Sequence, residues 1–409
     1  MRVRRGGAAA RSALAWLACA ACAAPAPERD ASLALHRDAI VIDGHSDTTP
    51  WFQDPEWHFD ERHADGTEDL PRMREGGLDA QFWSIYLGET PGPGRAIREA
   101  LVRIDAVHEL VRRHPRDLVL ATRAEDIRRA AAQGRIACLM GIEGGHIIEE
   151  SLPALRDFYR LGVRYLTLTH SFHTSWADSS GIDAALPPLH GGLTPFGEEV
   201  VREMNRLGML VDVSHVSDDT FWAALRVSRA PVIASHSSTR AVADHPRNLS
   251  DDMLRALAAN GGVVMINFYS GYDDAALIEP LREVFRSFGP RIAELRTRYP
   301  DDTVARMRAM RALMRGVDVP RTDLAVVLDH FDHALAVAGP DHVGIGGDWD
   351  GVISMPRGLE DVSRLPALTR GLLERGHSPE VVRKVVGENL LRAMERAEAV
   401  AAELSLARR

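Results

Sequence analysis

Four histidines and several carboxylates in this sequence stand immediately after short apolar runs, and together they are the donor types that hold zinc or a similar borderline cation. His45 and Asp47 are two residues apart, so at a strand end both can turn towards one ion. His215 and His236 follow two neighbouring runs and could hold a second. Glu143 ends a further run, and its two oxygens can bridge the pair. Lys384 is the only lysine and lies far from these runs, which excludes a carboxylated lysine as the bridge and leaves a carboxylate. Two cations about 3.5–4 Å apart share a bridging hydroxide, a strong nucleophile at neutral pH. Each residue also has an ordinary explanation: a strand-end histidine as packing, Glu143 as the cap of a turn, the His-x-Asp pair as coincidence. Their joint occurrence on four strands argues for the two-metal centre.

Such a centre needs elements that deliver distant residues to one place. The apolar runs are Ala39–Asp43, Leu78–Tyr86, Ile136–Ile142, Val163–Leu168, Met209–Val213, Pro231–Ala234, Gly262–Phe268 and His342–Ile345. Between them lie amphipathic helical patterns such as Ala96–Arg113, Leu152–Leu161, Thr194–Leu207 and Asp251–Asn260. Apolar strands alternating with helices indicate a parallel sheet covered on both faces. Eight such units predict an α/β fold, a (β/α)8 TIM-like barrel, with the C-terminal strand ends meeting at one mouth. The runs end in His45-Ser46-Asp47, Glu143, Thr169-His170, Ser214-His215, Ser235-His236 and Asp348-Trp349-Asp350, so these residues are expected to converge there. Ser270–Val319 is one long, arginine-rich insertion of helical pattern before the last strand. His146, His173 and His190 read as loop residues near the mouth; His58, His63, His108, His114, His245 and His377 read as solvated.

The chain has 409 residues, 45% hydrophobic and 26% charged, ample for a large core. A net charge of −9 with no basic stripe argues against nucleic acid as a partner. Arg2, Arg4, Arg5 and Arg11 precede an apolar stretch from Ala13 to Ala24 that is too short for a comfortable membrane span. The domains expected are therefore a signal peptide over 1–26 and one barrel domain over 33–400, in an exported, periplasmic or extracellular protein. Cys19 and Cys22 sit where a bacterial lipoprotein is lipidated, so an N-terminal lipid, at Cys22, is the membrane attachment the leader leaves open. Cys138 alone remains in the domain and reads as buried packing.

The chain resembles the membrane (renal) dipeptidase family. The matching segments include Ile42–Asp47, Gly141–Gly145, Arg164–His170, Asn205–Met209, Asp212–His215, Ala230–Ser237, Pro246–Leu249, Asn267–Tyr269, Gly347–Gly351 and Gly358–Val362, in order from about residue 36 to 397. The resemblance implies a metallodipeptidase with two Zn2+ per chain, one on His45, Asp47 and Glu143, the other on Glu143, His215 and His236. It implies that His170 contacts the substrate and the tetrahedral intermediate, that Asp348 carries the proton to the leaving nitrogen, and that Arg247 binds the dipeptide's C-terminal carboxylate. Tyr269 is a further substrate contact on the same ground. A small dipeptide substrate, with L-Xaa-D-Xaa accepted, and a homodimer are implied too. The loop Ser171–Asp178 and the insertion depart from the family's usual pattern, which puts side-chain preference in doubt. Two alternatives stay open: a barrel amidohydrolase acting on N-acyl amino acids or lactams, and a non-catalytic metal-binding relative.

Overall fold

The computed structural model describes residues 26–407 except 89–93, 183 and 301, and leaves the side chains of 26–30 undescribed. Nine parallel strands are present among the described residues: β1 Ile42–Ser46, β2 Ala80–Ile85, β3 Leu118–Leu120, β4 Ile136–Glu143, β5 Val163–Thr167, β6 Leu210–Asp212, β7 Val232–Ala234, β8 Val263–Asn267 and β9 Val343–Gly346. Eight of them close in the order β1, β2, β4, β5, β6, β7, β8, β9, with β9 back on β1. The chain is a TIM-like barrel. All eight expected runs are barrel strands. The short β3 was not expected; it pairs only with the start of β4, outside the closed ring.

Period-two alternation divides the strand side chains between two cores. Ile42, Ala80, Phe82, Ala137, Leu139, Tyr165, Leu210, Ile233, Val263 and Met265 fill the barrel interior. Trp83, Cys138, Met140, Ile142, Leu166, Val211, Val264 and Ile266 belong to the outer core, shared with surrounding helices through residues such as Ile104, Leu155, Met204, Phe221, Leu254 and Phe331. Cys138 is buried with a free thiol, as its apolar setting suggests. Gly141 occupies an interior position because a Cβ there would sit 1.9 Å from the Tyr165 ring, which crosses the barrel at that level.

The same alternation, carried towards the C-terminal ends, turns polar. Phe82 is followed inward by Ser84, Leu139 and Gly141 by Glu143, Tyr165 by Thr167, Leu210 by Asp212, and Met265 by Asn267. The apolar floor and the polar mouth are therefore successive layers of one register. β1 breaks the pattern: its register with β2 shifts between Asp43 and Ser46, a local irregularity that re-aims the run carrying His45 and extends the strand three residues past the expected end.

The insertion forms helices Ser270–Asp273, Ile278–Arg298 and Thr303–Met314. The leader expected over 1–26, with Cys19 and Cys22, lies outside the described residues but for Ala26. Among the described residues no helix is long and apolar enough to cross a membrane.

Candidate metal centre

Glu143 ends β4 at the middle of the mouth. Its Oε2 lies 3.5 Å from His45 Nε2, while Oε1 lies 3.1 Å from His215 Nε2 and 3.3 Å from His236 Nε2. His45 Nε2 is also 3.7 Å from Asp47 Oδ2, and His170 Nε2 is 3.6 Å from Glu143 Oε1. Three overlapping sets have ligand atoms within 4.8 Å of one another: His45, Glu143 and His236; Glu143, His170 and His215; His45, Asp47 and Asp348. The loops and strand ends thus bring seven of the nine expected site residues together.

The donor chemistry fits bound cations. His215 Nε2 and His236 Nε2 face each other at 2.8 Å, and two neutral rings can satisfy only one of those lone pairs by an N–H···N bond. His45 Nε2 and Asp47 Oδ1 are buried without hydrogen-bond partners. Buried polar atoms are nearly always paired, so a metal is the natural partner for this convergence. Protonation states agree. Burial, then the nearby charge of Arg247 and His170, holds His215 well below the usual imidazole range; burial, then His45, does the same for His236. Burial raises Glu143, but His45 and His170 together with hydrogen bonds from His215 and His236 outweigh it, and the group is held ionised. Neutral His215 and His236 beside an ionised Glu143 are ligands in their binding form, whereas burial of His45 is outweighed by Tyr165, Glu143 and Asp47, which hold it well above the usual imidazole range, so a cation there takes the place of its proton.

The ligands are themselves held. His45 Nδ1 meets the Tyr165 hydroxyl at 2.8 Å, and Ser84 Oγ donates to Glu143 Oε2 at 3.1 Å. Ser235 Oγ lies 2.8 Å from His236 Nδ1 and donates to Asp212 Oδ2 at 2.6 Å. His215 and Asp348 adopt φ of 66° and 58°, left-handed values costly to residues with a Cβ. Asp348 Oδ2 accepts from Asn267 Nδ2 at 2.9 Å. Burial pushes Asp348 up to about 7; Asp47 and Glu143 push the same way, against the charge of His45.

Two expected residues stand at the rim. Arg247 is 2% exposed, donates to Ser237 Oγ at 3.3 Å and the His236 carbonyl at 3.1 Å, and leaves Nε without a partner. Tyr269 is buried and packs edge-on against Tyr272, whose ring lies 5.2 Å from the Arg247 guanidinium. His245 corrects the expectation of a solvated ring: it is 4% exposed, packed at a tilt against Tyr272, and its Nδ1 accepts from Arg247 N. His146 lies in the turn after β4, packed on Phe172 with both ring nitrogens unpartnered. Tyr165, Ser84, Asp212 and Asn267 were missed. The signal for them is the period-two extension of each strand's interior residues.

Residues 29–408 match the membrane dipeptidase family, peptidase family M19. The chain is 37% identical to "Dipeptidase 3" of Mus musculus over 383 residues, 91% of this chain and 67% of that one. The chain belongs to the membrane dipeptidase family. Among solved structures it is similar to the probable dipeptidase PvdM from Pseudomonas aeruginosa, with TM-score 0.78, 26% identity, and coverage of 92% of this chain and 100% of that one. It is also similar to a metallo peptidase from Rhodobacter sphaeroides liganded with a phosphinate mimic of the dipeptide L-Ala-D-Ala, with TM-score 0.71, 27% identity, and coverage of 88% and 100%. As a membrane dipeptidase the chain is an enzyme of the metallodipeptidase class, and the convergent donors are its candidate metal-binding residues.

Proposed function

We propose that this chain hydrolyses dipeptides at a two-zinc centre, one ion on His45, Asp47 and Glu143 and the other on Glu143, His215 and His236. The observation that carries the reading is Glu143, one carboxylate with Oε2 turned to His45 and Oε1 to both His215 and His236. Bound zinc would supply a water made acidic at neutral pH and would polarise the scissile carbonyl. The protein's own part is orientation and proton handling. Arg247 takes the C-terminal carboxylate, a fork suited to a planar anion, and Tyr269 borders the same place. His170 Nε2, facing the cluster, donates to the oxyanion as the carbonyl becomes tetrahedral. Asp348 holds its Oδ2 on Asn267 and so leaves Oδ1 to accept the nucleophile's proton and pass it to the departing amine.

The test is turnover of a panel of L-Xaa-L-Xaa and L-Xaa-D-Xaa dipeptides, metal-loaded and after chelation, with zinc counted. Chelator-sensitive cleavage at about two metals per chain supports the reading. Two bound metals with no cleavage would turn attention to N-acyl amino acids and lactams. The L-Ala-D-Ala mimic bound to the Rhodobacter relative is the reason to include D-residues.

A further inference from the structure

One cation near this centre is buried with a nitrogen unpartnered among the described residues. Arg103, on the helix Ala96–Arg113, is 7% exposed and its Nη1 makes no hydrogen bond. Among the described residues it has no ion pair. Burial lowers its pKa to about 10, so the guanidinium stays charged at neutral pH. A buried charge left unpaired is costly and marks a position where a counter-charge is expected to arrive.

Arg103 lies close enough to Asp47 and Glu99 for their carboxylates to act on it, and close to Tyr86, which packs on His170 with ring centroids 4.6 Å apart. Arg247, by contrast, acts on His170, His215 and His236. Arg103 thus stands by Asp47 and Tyr86, whereas Arg247 donates to the His236 carbonyl. Arg103 also lines a cavity of about 720 Å3 between its helix, Gln53 and, from the insertion, Pro300 and the start of the helix Thr303–Met314. Arg98 and Arg306 add positive charge to that wall, and Leu87, Val102 and Val304 make the rest apolar. Two carboxylates share the lining: Glu99 pairs with Arg95 at 3.1 Å and also acts on Arg103, and Asp302 accepts from Ala305 N at 2.9 Å.

We propose that this cavity is a subsite for the side chain of the dipeptide's N-terminal residue, and that Arg103 makes it select an acidic one, aspartyl or glutamyl. The inference rests on the dipeptidase reading above. With Arg247 on the C-terminal carboxylate, the residue on the other side of the scissile amide is directed towards the Asp47 flank, where Arg103 stands. An aspartyl or glutamyl carboxylate there pairs the orphaned guanidinium, and its methylenes lie against the apolar wall. A neutral isostere leaves the cation unpaired.

The experiment compares kcat/KM for L-Glu-L-Ala and L-Gln-L-Ala on the metal-loaded wild type, Arg103→Gln and Arg103→Lys, with folding followed by thermal melting. The wild type is expected to prefer the glutamyl substrate by about tenfold or more, the usual worth of a hydrogen-bonded charge pair. In Arg103→Gln the ratio falls to near one, and Arg103→Lys restores part of it. A wild-type ratio near one, or a ratio unchanged in Arg103→Gln, overturns the subsite. If neither dipeptide is cleaved while others of the panel are, the subsite is overturned; if no dipeptide of the panel is cleaved, the dipeptidase reading has failed. The subsite is then decided by calorimetric binding of L-glutamate against L-glutamine: tighter glutamate binding that Arg103→Gln abolishes supports it, and equal binding overturns it.

Discussion

The barrel mouth and the outer insertion are built on opposite terms. Every residue of β4 is buried, and Glu143 at its end is fixed by Ser84 and three histidines within 3.5 Å of its oxygens. The insertion helix Thr303–Met314 has no buried residue, and Ile278–Arg298 has only Leu281. What holds the insertion to the loop after β1 is ionic and stacked: Arg308 with Asp54, Arg311 and Arg315 with Asp65, and Arg311 over the Trp51 ring at 4.2 Å. Rigid strand ends place reacting groups within tenths of an ångström, whereas charged surface helices tolerate drift. The proposed chemistry belongs to the first region, and the second lends it only part of the wall of the cavity beside Arg103.

If that division is right, the largest losses come from the mouth. Glu143→Gln removes the charge that faces both ligand sets, and turnover should fall on the order of 10³-fold or more with melting largely retained. Full turnover in that variant would end the bridging assignment. Arg247→Met should cost roughly 10²-fold in kcat/KM for dipeptides, and far less for a dipeptide amide that lacks the carboxylate. Equal losses on the two substrates would move Arg247 from substrate binding to a structural role.

The groups behind the ligands sharpen the same comparison at smaller amplitude. Tyr165→Phe takes away the hydroxyl 2.8 Å from His45 Nδ1, so metal affinity, read by competition with a chelator, should drop about 10–100-fold. An unchanged affinity would show that ring packing alone orients His45.

What could be read from sequence follows from where each signal is local. Strands buried on both faces are continuous apolar runs, so all eight barrel strands were legible. β3 is three residues long, follows directly on the His114–Asp117 turn, and carries no such run. Ligands stood out because His45, Glu143, His215 and His236 are chemically loud at strand ends. Tyr165 and Asp212 were not, because a tyrosine or aspartate within a strand gains meaning only when the register shows it facing the interior. His245 looked solvated in Ala243-Asp244-His245-Pro246, and only tertiary packing against Tyr272 reveals its burial. Arg103 carries no local signal either, since an arginine on an amphipathic helix is ordinarily a surface charge.

Away from the metal, His330 tests the interior by pH. Thr239 N donates to its Nδ1 at 3.1 Å, so the neutral ring carries its proton on Nε2, which donates to the Asp273 carbonyl at 2.9 Å. Burial lowers its pKa to about 4 from the ordinary 6.5. Below pH 6.5 the unfolded chain therefore takes up a proton that the folded chain refuses, and stability falls with pH until about 4. His330→Gln lacks this linkage. The stability gap between wild type and variant should narrow by on the order of 2 kcal/mol from pH 7 to pH 5. A constant gap would mean that the ring is hydrated or already charged.

The smallest effect belongs to the insertion's edge. Arg315 is 70% exposed and pairs with Asp65 at 2.8 Å, while Arg311 contacts the same carboxylate at 3.0 Å. Arg315→Ala leaves Asp65 with its other partner, so the melting temperature should move by no more than about 1–2 °C. That shift should vanish in roughly 1 M salt, where the screening length is about 3 Å. Turnover of L-Ala-L-Ala should be unaffected, because nothing in the mouth leans on Arg315. A drop of many degrees, or a loss of turnover, would mean that the insertion is coupled to the strand ends as one unit, and the contrast between a rigid mouth and a tolerant insertion would have to be abandoned.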